Sequence, residues 1–189
     1  MEISSLKDIP GNFEETEFVY DNSLPQRDWK LNLYLYLLGV PHFGRRLSPR
    51  ICSYFKGTQK AALMPGFKCL YGNFIVGREV ALHDSYCLDY APIVLGDYVS
   101  LSSGRSMLLT STHDFNDFKR VIARPIVIER NAWIASGCII LGGVRIGENT
   151  VVGAGSVVTE SLPPNVLAAG NPAKVIREIQ RNSPGADGL

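Results

Sequence analysis

A chain of 189 residues, 46% hydrophobic and 20% charged, is long enough for one domain with a buried core. Its net charge of +1 excludes the basic surplus of a typical nucleic-acid-binding domain. The acidic, polar start MEISSLKDIPGNFEE lacks a signal peptide's apolar core, and the apolar run Leu31–Val40 is about half of the ~20 residues a membrane span needs. Four cysteines, Cys52, Cys69, Cys87 and Cys138, show no CxxC spacing, so the chain reads as cytoplasmic with reduced thiols.

In chain order, residues 1–71 read as an N-terminal cap segment, partly helical. Asp28 is placed to cap a helix running to Leu38. The alternation Leu31, Leu33, Leu35, Leu37 suits a strand equally, and the run length with the GVP stop decides for the helix. A second helix is expected through SPRICSYFK, with Pro49 near its start.

From about Gly72 the spacing of apolar residues becomes regular. Val76, Leu82 and Leu88 step by six; one extra residue in DYAPIV shifts the frame, and Leu95 and Leu101 continue. Then Ile128, Ile134, Ile140, Ile146, Val152 and Val158 follow without a break. Four places after each aliphatic stand Ala132, Cys138, Val144, Thr150 and Ser156, all small or medium. A six-residue period means three short strands per eighteen-residue triangular coil. The aliphatic and the small fifth residue point inward, and Gly, Asn and Asp occupy the corners. One coil cannot bury its own apolar face, so coils must stack. The expectation is an all-β parallel β-helix over residues 72–170, which the usual crossover rule would make right-handed.

The stretch SSGRSMLLTSTHDFNDFKR interrupts this repeat, with a loop at about 106–125. It carries His113, one of only three histidines. A loop of this length inside a tight coil is usually functional. After the repeat, PAKVIREIQR reads as a short C-terminal helix within residues 171–189, with Val175, Ile176 and Ile179 on one face.

The combination of THDF, PIVIERNAWIASG, VVGAGSVVT and AAGNPAKVIRE resembles the hexapeptide-repeat acyltransferases. Galactoside, maltose and nodulation-factor O-acetyltransferases and exopolysaccharide-biosynthesis acetyltransferases are the nearest in pattern. The resemblance covers about residues 72–179. It implies a left-handed parallel β-helix, a homotrimer, and acetyl-CoA lying in the groove between neighbouring prisms. His113 matches the family's catalytic histidine. An alcohol is a poor nucleophile until a proton leaves, and imidazole titrates near the working pH, so the role implied is general base in direct transfer. An orienting partner for its second ring nitrogen is not identified by the sequence; Asp114 adjoins it, but neighbours on an extended segment point apart.

The resemblance carries over further residues. Ser136 matches a coenzyme and oxyanion contact, and Trp133 an aromatic groove wall. Ala154 and Thr159 match coenzyme contacts. Lys174 and Arg177 match basic positions for the nucleotide phosphates, three apart on one helical face. Glu160 stands where the galactoside enzyme has a lysine. On the acceptor side, His83, Asp84, Asp89 and Tyr90 in ALHDSYCLDYAPI are candidates, and their departures from the family pattern argue against galactosides or maltose. A carbonic-anhydrase-like metal site is rejected, because HxxxxH fails at Phe118. Cys138 reads as core.

The leading function is acetyl transfer from acetyl-CoA to a sugar or glycan precursor. The alternatives are an antibiotic-modifying acetyltransferase and a non-catalytic trimeric scaffold. Trp29, Tyr34, Tyr36, Arg45, Arg46 and Arg50 raise a membrane-surface contact; a cap over the open end of the prism is the competing reading. The acceptor, O- versus N-acetylation and the acyl length are not encoded in any motif found.

Overall fold

The computed structural model describes residues 9–21, 24–40, 44–57 and 61–180, leaving aside the side chains of 21 and 44–46. About six coils stack into a three-faced prism of parallel strands. The first face comprises Lys56–Gly57, Phe74–Val76, Ile93–Leu95, Ile126–Ile128 and Arg145–Ile146. The second runs through Ala61–Leu63, Val80–His83, Ser100–Leu101, Trp133–Ile134, Val151–Val152 and Val166–Gly170. The third holds Tyr86–Leu88, Met107–Leu109, Ile139–Leu141 and Val157–Val158. Among the described residues the ladder begins at Lys56: Lys56–Gly57, Ala61–Leu63 and Lys68 pair with strands of the next coil.

The six-step aliphatics Ile128 to Val158 are all fully buried, as are the fifth-position residues Ala132, Cys138, Val144, Thr150 and Ser156. The two hydroxyls among them stay hydrogen-bonded. Thr150 Oγ1 donates to the Pro163 carbonyl at 2.6 Å, and Ser156 Oγ to the Gly153 carbonyl at 2.6 Å, so neither leaves a buried polar group unpaired. All four cysteines are buried free thiols. Burial raises the Cys138 thiol above its usual range, against hydrogen bonds that lower it.

At the corner between the first and second faces, Glu79, Tyr98, Asn131, Asn149 and Asn165 all have positive φ, one per coil. Asn131 Nδ2 donates to Asn149 Oδ1 at 2.8 Å, and Asn149 Nδ2 to Asn165 Oδ1 at 2.9 Å, forming an amide ladder up that corner. The glycine after the aliphatic has a steric cause: a Cβ on Gly147 would lie 2.4 Å from Pro164 N in the next coil.

The earlier coils depart from the strict step. Cys87, not Leu88, is the fully buried residue on the third face, paired with Leu108. The inward positions there run Val76, Leu82, Cys87, Leu95, Leu101, Leu108, at spacings between five and eight.

Asp28 caps the helix Trp29–Leu38 as expected, accepting from Lys30 N at 2.7 Å. The second helix is Gly44–Cys52, so Pro49 lies in its interior rather than near its start. Burial of Leu47, Ile51 and Cys52 outweighs the backbone hydrogen bond that proline forfeits.

The expected C-terminal helix is instead a strand, Ala173–Glu178, antiparallel to Val166–Gly170. The last parallel strand would otherwise present an open row of N–H and C=O groups. The chain reverses at Asn171–Pro172 and covers that edge, and β-branched Val175 and Ile176 suit the extended state.

The N-terminal segment is a strap as well as a cap. Phe13 packs on Ile75, Val94 and Val127, the outward apolar residues of the first face. Glu14 Oε2 accepts from Arg145 Nη2 at 2.7 Å and from Nε at 3.0 Å, clamping the strap 131 residues away in sequence.

Candidate active site

The interruption of the repeat spans Thr110 to Pro125, between strands of the third and first faces. It is a β-hairpin: Ser111–His113 pairs antiparallel with Arg120–Ala123, placing His113 opposite Val121. The strap supplies a third strand, Phe18–Asp21, with Tyr20 also opposite Val121. Tyr20 and His113 therefore lie in one cross-strand row, on one face of this small sheet. Tyr20 Oη donates to the Tyr90 carbonyl at 2.8 Å and ties the sheet to the prism. Burial, then the neighbouring Tyr90 phenol, raises the Tyr20 hydroxyl above its usual pKa.

The hairpin tip is held by its acids. Asp114 Oδ1 accepts from Asn116 N at 2.8 Å, and Asp117 Oδ1 from Lys119 N at 3.1 Å. Asp114 Oδ2 also takes Arg120 Nη1 at 3.2 Å, so Asp114 orders the turn. The partner of His113 is the backbone carbonyl of Phe118, 2.7 Å from Nδ1. A carbonyl only accepts, so Nδ1 carries a proton, and in the neutral ring the lone pair is then on Nε2. The Phe118 ring, 72% exposed, lies 6.3 Å from the imidazole, and Phe115 is 83% exposed. A hollow of 590 Å³ is lined by Leu109–Asn116 with Ile122, Arg124, Leu141 and Gly142.

Three of the expected coenzyme contacts, Trp133, Ser136 and Ala154, lie at or beside a different edge, the corner between the second and third faces. Asp84, Gly104, Ser136 and Ala154 stack there from coil to coil. Trp133 Nε1 donates to Ser102 Oγ at 2.8 Å, and Ser136 Oγ to the Ser103 carbonyl at 2.5 Å. Asp84 Oδ1 accepts the Gly104 N–H at 3.0 Å. Partial burial pushes its pKa up, but the N–H groups of Gly104 and Arg105 outweigh this and hold it below the usual range. Ser136, Gly137, Ala154 and Gly155 are small and exposed, and a Cβ on Gly155 would meet nothing within 4 Å. The corner is thus an open channel of backbone and short side chains. His83 lies at its upper end in a left-handed conformation (φ 44°), its Nδ1 buried without a partner among the described residues.

On one chain, then, the candidates form two groups. His113, Asp89, Tyr90 and Thr159 lie at the corner that follows the third face; Trp133, Ser136, Ala154, His83 and Asp84 lie at or beside the corner that precedes it. The three-residue strands between them span about 10 Å. His113 and Ser136 do not meet within a chain.

Asp89 is corrected as an acceptor candidate. It is 0% exposed, and its carboxylate accepts N–H groups of Leu70, Tyr71 and Asn73 at 2.7, 3.2 and 2.8 Å. Burial raises its pKa despite these bonds. It is a turn anchor. Tyr90 is half-buried and packs edge-on against Tyr20 and Tyr71, with centroids at 5.9 and 5.3 Å.

Lys174 and Arg177 share the outer face, though not by helical spacing. Lys174 pairs with Ala169 and Arg177 with Leu167, alternate residues of one strand, because a bulge at Ile176 restores the phase. Lys174 Nζ lies 3.2 Å from Glu160 Oε2, both exposed. Glu160 is thus paired with the neighbouring base. Arg177 borders a hollow of 450 Å³ with Trp133, Val151 and Leu167. Among the described residues no three His, Cys, Asp or Glu side chains converge on a metal position.

A stacked parallel β-helix is the architecture shared with the hexapeptide-repeat acetyltransferases. The family profile "Bacterial transferase hexapeptide (six repeats)" matches residues 125–160. A Saccharomyces cerevisiae protein assigned as an acetyltransferase is 34% identical over 178 residues, 90% of each chain. The Escherichia coli galactoside O-acetyltransferase is 38% identical over 110 residues, 57% of this chain and 52% of that one. A Vibrio cholerae hexapeptide-repeat acetyltransferase, solved with acetyl-CoA, superposes with a TM-score of 0.71 at 29% identity, over 80% of this chain and 86% of that one. The chain belongs to the hexapeptide-repeat acetyltransferases and is an acetyltransferase.

Proposed function

We propose that the protein moves an acetyl group from acetyl-CoA to a hydroxyl of a sugar or glycan precursor, with His113 as general base, at a site built between two copies of the chain in a homotrimer. The observation that carries this is the Nδ1–H bond to the Phe118 carbonyl, which leaves Nε2 basic on a projecting hairpin. The separation of His113 from the small-residue channel supports a two-chain site: the hairpin of one copy completes the channel of the next.

In this reading, the acceptor hydroxyl gives its proton to Nε2 as its oxygen attacks the thioester carbonyl. The tetrahedral adduct places negative charge on the former carbonyl oxygen. A donor at Ser136 would stabilise it by about 3 kcal/mol. The C–S bond then breaks, and the imidazolium returns the proton to the leaving sulfur. Trp133 walls the channel, Ala154 lies along it, Thr159 faces it from the His113 corner of the neighbouring copy, and Arg177 with Lys174 meets the phosphates. Acetyl-CoA fits the channel by analogy with the bound Vibrio relative. The sugar acceptor rests on the galactoside relative.

The test is thiol release from acetyl-CoA across sugars, nucleotide sugars and polyprenyl-linked glycans. His113→Ala is expected to lower turnover by about a hundredfold or more with one acceptor. Unchanged turnover removes His113 from the mechanism. Mixing two inactive variants, His113→Ala and Ser136→Trp, tests the shared site: subunit exchange restores activity only if the two residues come from different chains.

A further inference from the structure

The helix Trp29–Leu38 faces two ways. Leu31 and Leu38 are fully buried in the core cluster that includes Phe55, Phe67 and Phe74. Trp29, Leu33 and Tyr36 form a second stripe at i, i+4 and i+7, pointing to solvent and 68%, 43% and 76% exposed. Large apolar side chains grouped this way mark an interaction face. The charge of this stretch of sequence says what kind. Residues 25–50 carry five bases, Arg27, Lys30, Arg45, Arg46 and Arg50, against one acid, Asp28, a net of +4. The whole chain is +1, so the remaining residues sum to −3. Asp28 is spent as the helix cap. The Arg27, Lys30 and Arg50 side chains are exposed, and the Lys30 ammonium sits 5.8 Å from the Trp29 ring centroid.

We infer that this face docks the protein on an anionic phospholipid surface, with Trp29, Leu33 and Tyr36 entering the headgroup boundary and the bases on the lipid phosphates. Aromatic side chains with bases around them suit that boundary. The same net positive charge repels a second copy placed face to face, whereas an anionic bilayer complements it. No helix among the described residues is long and apolar enough to cross a membrane, so the contact is interfacial. An enzyme so placed works on acceptors held at a bilayer, which deepens the proposed glycan reading without depending on it.

The experiment is co-sedimentation with phosphatidylcholine vesicles with and without phosphatidylglycerol, using the full chain. Trp29 fluorescence is followed in parallel in a Trp133→Phe background. Binding is expected only to the anionic vesicles, weakened by salt, with a blue shift of Trp29. Trp29→Ala with Tyr36→Ala should lower the affinity at least about tenfold, and Arg27→Glu and Arg50→Glu about fivefold or more each. These side chains are exposed, so the variants should keep wild-type melting curves, which confirms that binding loss is not unfolding. Three outcomes overturn the inference: no binding to anionic vesicles, equal binding by the double-alanine variant, or burial of Trp29 through lipid-free self-association. The last identifies the face as a contact between copies. Vesicle binding is read without acetyl transfer, so its failure is separable from failure of the enzymatic proposal.

Discussion

The two halves of the prism are built differently. From Ile128 to Val158 each inward aliphatic follows the last by six, and every one is fully buried. From Lys56 to Leu109 the spacing wanders, a cysteine replaces an aliphatic, and Asp89 is buried among the turns. The regular half carries the strap on its outer surface, at Val127 and Arg145, while only its own coils fill its interior. The irregular half shares the strap through Ile75 and Val94 and also receives the helices over one end. Strict period marks where coils alone fill the interior, and its loss marks where helices and a buried turn acid are packed in as well.

Perturbing each half sharpens that contrast. In the regular half, Ile140→Ala should cost about 3–5 kcal/mol, because stacked coils above and below hold the cavity open; urea denaturation measures it. Leu88→Ala should cost far less, under about 1.5 kcal/mol, since Leu88 is only half-buried although the six-step count would place it inside. Glu14→Ala should cost about 2–3 kcal/mol, because it strips a largely buried Arg145 of one of its two carboxylates, Glu14 and Glu129. Asp89→Asn should cost about 2 kcal/mol, since an amide presents N–H groups to N–H donors that now meet a carboxylate. Tyr20→Phe should cost about 1 kcal/mol in stability. It should also lower turnover, because Tyr20 acts on the hairpin's position. The smallest effect is electrostatic. Partial burial raises the Asp97 pKa, but the Arg78 N–H and guanidinium outweigh it and hold it below 3.8. A depressed carboxylate contributes stability that is whole above its unfolded pKa and lost as pH falls through the folded one. Asp97→Asn should therefore flatten the acid limb below pH 3.8, read as the melting temperature against pH.

The regular half was legible because its residues answer to local stacking. Ile128 through Val158 and the small fifth positions announce their burial, and Asp28 announces its cap. What escaped had partners far away or without side chains. The acceptor that fixes the His113 tautomer is a main-chain carbonyl, invisible to any residue pattern. The third strand beside the hairpin comes from Phe18–Asp21, about a hundred residues upstream. PAKVIRE reads as a helix by apolar spacing, yet an open sheet edge makes it a strand. Lys174 and Arg177 end on one face for a reason the sequence reading did not contain, the bulge at Ile176. Asp89 looked like a ligand because a buried turn acid and an exposed binding acid share the same letter.

The strap has a consequence in time. Coils of a solenoid close on neighbours about eighteen residues away, so they can form in order as the chain leaves the ribosome. Glu14 and Glu17 find their arginines 131 and 107 residues later. A segment made before the coils is thus among the last to settle. The hairpin that carries His113 gains its third strand only when Phe18–Asp21 returns to it, so ordering of the hairpin trails completion of the coils beneath it.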